Sequence, residues 1–166
     1  IYPKFIGSGN AMTWDMIRTL VDAGWSVESH SMTHPNLVMD APANEQERQV
    51  YYESEIIRSR QVIVDNAGYE PQFIAWPYGI YSVELIRLAQ RAGYYGAFTV
   101  DGGASYPGLD PFLVKRQVVY QNDDRQKFLV RFGMGALRVT DHNPVPGSIV
   151  KGLKQISFQI PELSDY

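Results

Sequence analysis

Apolar positions along the first 133 residues change spacing in a regular order, and the spacing predicts the elements. Trp14, Ile17, Leu20 and Val21 recur three to four residues apart, which predicts a helix capped by Thr13 and stopped by Gly24. In "WSVES", Trp25 and Val27 alternate with Ser26 and Glu28, so a short strand is expected there, with His30 just beyond its end. A long helix is predicted from about residue 45 to about residue 66. Val50, Ile57 and Val64, flanked by Ile56 and Ile63, would form its apolar face. "QFIAW" reads as a buried strand closed by Pro77 and Gly79. Ser82 then caps a helix with Leu85, Ile86 and Ala89 on one face, and Gly93 stops it. "YGAFTV" and "LVKRQVVY" read as a third and a fourth strand. Asp123 or Asp124 opens a short helix carrying Phe128, Leu129 and Phe132 and ending at Gly133.

Helix and strand therefore alternate over residues 13–133, the order of a parallel α/β sheet or barrel. In such folds chemistry collects at the C-terminal ends of the strands, where His30 and "WPYG" both fall. The rhythm breaks near residue 134. "KQISFQIP" alternates Ile156, Phe158 and Ile160 with polar residues, an antiparallel-strand pattern. Two units are thus expected: residues 1–133, and a C-terminal β extension or small β domain over residues 134–166.

Composition narrows this only a little. The chain has 166 residues, 45% of them hydrophobic, which suits one ordinary domain with a sizeable core. A net charge of −3 leaves no basic footprint for nucleic acid. No apolar run approaches the roughly 18 residues of a transmembrane segment. The absence of cysteine excludes disulfides and thiolate metal sites. Aromatic residues at 13% serve core packing or a surface on which sugar rings stack. The chain opens on Ile1, not Met, and is expected to be a processed or excised piece.

The chemistry centres on "SHSMTHPNL". The chain has three histidines, and two of them, His30 and His34, stand four apart. In a helical or turn conformation that spacing puts both imidazoles on one side, where they can hold a divalent ion such as zinc. The alternative is a pair of histidines that only cap loop carbonyls. Two imidazoles make a weak site, so a third ligand, naturally a carboxylate, would have to come from elsewhere.

"MTWDMIRTLVDAGWSVESHSMTHPNL" resembles the run of helix, strand and metal motif in the polysaccharide deacetylases, carbohydrate esterase family four. "FIAWPYG" resembles the family's Pro-Tyr-Gly motif. "AGYYGAFTVDGG" and "LVKRQVV" resemble its later strands, closest to the branch that deacetylates poly-N-acetylglucosamine. The likeness covers about residues 10–132. It implies a (β/α) barrel-like deacetylase fold and a metal-dependent hydrolase, in the bacterial envelope or outside the cell, that removes N-acetyl groups from an N-acetylglucosamine polysaccharide. It implies that His30 and His34 hold the metal, zinc above others. It also implies that the Tyr78 N–H stabilises the oxyanion, that Pro77 and Gly79 fix that turn, and that Trp76 and Tyr78 form part of the sugar-binding wall, so that Trp76, Pro77, Tyr78 and Gly79 are the substrate-binding residues.

Three departures follow. The family's aspartate pair on the first strand is absent, and neither Asp15 nor Asp22 matches it. The barrel is therefore expected to be incomplete or distorted on its N-terminal side, and either to be completed by an upstream fragment or a second chain or to be rearranged so that the gap is covered. This chain alone would then be inactive. Ala75 stands where most of the family has arginine. The late histidine motif is not recognisable, and His142 is the one candidate left. Asp101 and Arg116, near strand ends, line the cleft or merely face solvent. A second reading, motivated by the missing aspartates, is a non-catalytic carbohydrate-binding relative.

Overall fold

The computed structural model describes residues 1–133, 140–143 and 157–159. Its helices begin where short polar side chains satisfy free backbone N–H groups. Helix α1 (Trp14–Asp22) is capped by Thr13, whose hydroxyl accepts from the Met16 N–H at 3.4 Å. Helix α2 (Glu45–Ala67) is capped by Asn44, which accepts from the N–H groups of Gln46 and Glu47 at 2.9 and 3.1 Å. Glu45 and Glu47 suit the positive end of the helix dipole. Gly68, at a φ of 66°, turns the chain out. Ser82 caps α3 (Val83–Arg91), and Asp124 caps α4 (Arg125–Phe132).

Strands β1 (Phe73–Ala75) and β2 (Gly96–Phe98) pair in parallel across α3, Ile74 opposite Ala97. Single parallel bridges extend the row, Ser29 to Ile74 on one side and Phe98 to Val114 on the other. Beyond Ser29 the Ile1 amine donates to Glu28 O at 2.5 Å, and His30 N–H donates to Ile1 O at 2.8 Å. The row thus runs Ile1, 28–30, β1, β2, Val114. Among the described residues it forms an open α/β layer, and no closed barrel is present.

Helix α2 packs against both α1 and α3. One core cluster joins Leu37, Tyr52, Ile56, Ile74, Trp76 and Leu85, and a second joins Ile17, Val27, Ile63 and Ala67. Each fully buried aliphatic side chain contributes about 1.5–3 kcal/mol. Helix α2 supplies Tyr52 and Ile56 to the first cluster and Ile63 and Ala67 to the second, and so links the two.

The structure corrects four sequence expectations. Val50 and Ile57 are exposed, and the buried side of α2 carries Tyr52, Glu55, Ile56, Ser59, Ile63 and Ala67. A seven-residue repeat drifts round a straight helix, whereas spacings of four, three and four stay in line. Two polar residues, Glu55 and Ser59, keep to that side because each finds partners, Thr33 N–H for Glu55 and the Ser29 hydroxyl for Ser59. The expected strand 25–29 pairs only at Ser29. A longer ladder would need the Phe73 N–H, which instead donates to the Glu28 carboxylate at 2.8 Å, as does the Gln72 N–H. In "LVKRQVVY" only Val114 pairs with β2, and on the other edge the Lys115 N–H donates to Ser105 Oγ at 3.0 Å. Phe128 and Leu129 on α4 are exposed, and Phe132's side chain lies outside the described residues.

Strands β3 (Thr140–Asn143) and β4 (Ser157–Gln159) pair antiparallel, Thr140 opposite Gln159, as the alternation in "KQISFQIP" predicts. His142 falls in β3. Ile156, Ile160 and most of the expected C-terminal unit lie outside the described residues. No described helix is long and apolar enough to cross a membrane.

Candidate functional site

His30 and Tyr78 leave neighbouring segments of the parallel row at their C-terminal ends. His30 follows the Ser29 bridge, and Trp76–Gly79 follows β1. The His30 ring then turns toward β1. Its Nδ1 lies 2.7 Å from Ala75 O. A carbonyl only accepts, so Nδ1 carries the proton and Nε2 presents its lone pair. Burial is the main influence on this ring and pushes its pKa below the ordinary imidazole value. The bond to Ala75 opposes that fall, while the charges of His34 and Arg116 add to it. A neutral imidazole of fixed tautomer is the form that binds a metal ion.

His34 reaches the same place by a turn, not by a helix. Ser31 and His34 both take left-handed backbone, at φ of 63° and 61°. Ser31 Oγ accepts from His34 N–H at 3.0 Å and closes the turn. The two imidazoles meet edge-on with centroids 4.6 Å apart. Tyr78 is the third residue of this kind, at a φ of 56°. These three are the only non-glycine residues with positive φ among those described. Each such conformation costs roughly 1–2 kcal/mol. Strain gathered at one place signals a site whose geometry is held by its surroundings.

The Tyr78 ring stands edge-on to His34 at 4.7 Å and is 58% exposed. No hydrogen bond among the described residues occupies its N–H. Trp76 behaves differently from the expectation of a sugar-binding wall. It is fully buried, and its indole N–H donates to Phe112 O at 3.1 Å, so its ring packs core and offers no face to a ligand. Pro77 is likewise buried. Gly79 is buried at a φ of 71°, and a Cβ there would lie 2.3 Å from Val100 Cγ2. Of the two expected wall residues Tyr78 alone presents a surface, while Pro77 and Gly79 form the turn.

Two residues that the sequence reading passed over join the site. Tyr2 packs its ring 5.2 Å from His34 and 6.3 Å from His30. Nothing in "IYPKF" marks it. Glu55 is 4% exposed, and its carboxylate takes the Met32 and Thr33 N–H groups at 3.0 Å each and the Thr33 hydroxyl at 2.7 Å. Its signal was a carboxylate within the buried three-and-four spacing of α2.

Arg116 shares an open cavity of about 350 Å³ with His30, Ala75, Ile1 and Glu28. It forms no ion pair among the described residues. The Asp101 backbone N–H donates to Thr99 Oγ1 at 3.1 Å. Asp15 pairs with Arg18 on the surface of α1. The two imidazoles fit a borderline divalent cation such as zinc. Among the described residues no three His, Cys, Asp or Glu side chains surround one point.

Comparison with known proteins identifies the setting. Residues 5–97, more than half of the chain, match the polysaccharide deacetylase family. The peptidoglycan-N-acetylglucosamine deacetylase of Bacillus cereus is 34% identical over 65 residues, covering 39% of this chain and 21% of that protein. The crystal structure of the polysaccharide deacetylase BC0361 from Bacillus cereus superposes with a TM-score of 0.62 at 21% identity, over 76% of this chain and 38% of that one. That of the Streptococcus pyogenes deacetylase PplD gives 0.64 at 20%, over 75% and 52%. The two structures share the fold. The chain spans between 21% and 52% of these relatives' own lengths.

Proposed function

This chain belongs to the polysaccharide deacetylase family, and from that premise we propose that it forms the histidine-bearing part of a metal-dependent hydrolase. The reaction is removal of N-acetyl groups from an N-acetylglucosamine-containing polysaccharide, in the bacterial envelope or outside the cell. The observation that carries the reading is the convergence of His30, His34 and the free Tyr78 N–H at the ends of parallel segments, with the His30 tautomer fixed by Ala75 O.

His30 and His34 would hold the metal through their ring nitrogens. A bound divalent ion supplies Lewis acidity toward the acetamide carbonyl and toward water. The Tyr78 N–H donates to the oxygen on which negative charge develops. The exposed Tyr78 ring flanks the sugar. The third ligand and the general base are carboxylates that we assign to a further strand, carried by an upstream segment or a second chain. That strand would lie along the open Ile1 side of the row.

The test is acetate release from N-acetylglucosamine oligomers by the full-length protein, with bound metal measured in parallel. His30→Ala and His34→Ala should each lower kcat/KM at least a hundredfold and strip the metal. Unchanged activity in both variants would remove the metal assignment. The second reading, a carbohydrate-binding relative without catalysis, draws on the incomplete ligand set among the described residues. Oligosaccharide binding without acetate release by the full-length protein would select it.

A further inference from the structure

We propose that Glu55 is a positioning residue that sets the distance and mutual angle of the His30 and His34 rings. Its carboxylate is buried on α2, twenty-odd positions away in sequence, and no lysine or arginine among the described residues pairs with it. Every hydrogen bond it makes goes to Met32 and Thr33, the residues between the left-handed Ser31 and His34. Met32 is held from its other side as well, where its carbonyl accepts from the Lys4 N–H at 3.2 Å.

Buried charge without a counter-ion is costly unless hydrogen bonds replace its water, and here the loop's own N–H groups do so. The dependence is mutual. The carboxylate needs the loop N–H groups, and the loop needs an acceptor to keep two strained residues in place. Since Ser31 and His34 flank the clamped pair, a shift at Met32–Thr33 turns one imidazole away from the other. Glu55 thus acts through the histidines and touches no reacting group. The inference rests on the reading of His30 and His34 as a metal-holding pair, but its geometric part can be tested without metal.

The variants are Glu55→Leu, Glu55→Gln and Thr33→Val, made in the full chain and characterised by thermal melting, histidine ring NMR and Co2+ titration. Glu55→Leu removes the acceptors while keeping bulk and helix propensity. It should melt cooperatively, lose the cross-ring NOE between His30 and His34 in the metal-free protein, and bind Co2+ at least tenfold more weakly. Glu55→Gln retains one acceptor and should recover part of both signals. Thr33→Val leaves the helix untouched and should shift both in the same direction by less. A Glu55→Leu chain that is folded, keeps the ring contact and binds Co2+ within twofold of wild type overturns the proposal. Should Glu55→Leu fail to fold, a Thr33→Val chain indistinguishable from wild type overturns it equally. If wild type takes up no Co2+, the metal reading fails, and the ring NOE alone decides the role of Glu55.

Discussion

At the scale of single residues, His30 carries a pH dependence whose sign follows from its surroundings. Burial lowers its folded pKa, whereas an unfolded histidine titrates near about 6.5. Between those two values the unfolded chain binds the extra proton, so stability rises with pH across the window. The stabilisation is present above about pH 6.5 and is lost as pH falls through the folded value. Urea midpoints between pH 7.5 and 5 should therefore decline, and the decline should be shallower in His30→Gln. Two tyrosines offer a contrast. Tyr51 has its pKa pushed up to about 12, first by burial and then by the charges of Glu55 and Asp40, and its hydroxyl is buried without a partner among the described residues. Tyr94, also buried, donates its hydroxyl to Ile56 O at 3.3 Å. Tyr51→Phe should be neutral or stabilising by up to about 1 kcal/mol, and Tyr94→Phe should cost about 1 kcal/mol in urea denaturation.

At the scale of elements, the turn after β1 depends on Gly79 twice over. Its left-handed backbone penalises any side chain, and a Cβ would overlap both Val100 Cγ2 and, at 2.8 Å, the Val100 N. Gly79→Ala should therefore destabilise by more than about 2 kcal/mol, beyond the usual left-handed penalty, and it should blunt any activity that uses the Tyr78 N–H. Helices were the most legible elements in the sequence. Thr13, Asn44 and Ser82 are local caps whose action needs no distant partner, and the boundaries near residues 14, 45 and 83 follow from them. Strands were less legible, because pairing is decided elsewhere. "WSVES" has the alternation of a strand, but Glu28's own side chain takes the Phe73 N–H that would have extended the ladder. Helix α2 shows the same limit in another form. Its length was readable, whereas its buried side depended on partners for Glu55 and Ser59 that no periodicity displays. Ser59 bonds Ser29 at 3.0 Å, thirty positions away.

At the scale of the whole molecule, the order of motifs carried the family, and the geometry brings His30, His34 and Tyr78 together from two separate stretches of chain. The histidine pair and the Pro-Tyr-Gly turn were legible because each is a short local pattern. Tyr2 and Glu55 were not, because their roles exist only once the N-terminal segment and α2 have docked on the loop. Trp76 was misjudged for the same reason, since only the assembled core shows that Phe112 claims its indole N–H.

Helix α2 has a consequence for how this chain can vary in length. Its 23 residues span about 34 Å, and each added residue rotates everything beyond it by about 100°. One insertion between Tyr52 and Glu55 would swing the clamp on the histidine loop, the Ser59–Ser29 bond and the Ile63–Ala67 packing off their targets together. The loops at residues 35–44 and 101–110 carry no such phase. Lineages of this chain should therefore gain and lose residues in those loops while the helix between Asn44 and Gly68 stays fixed in count.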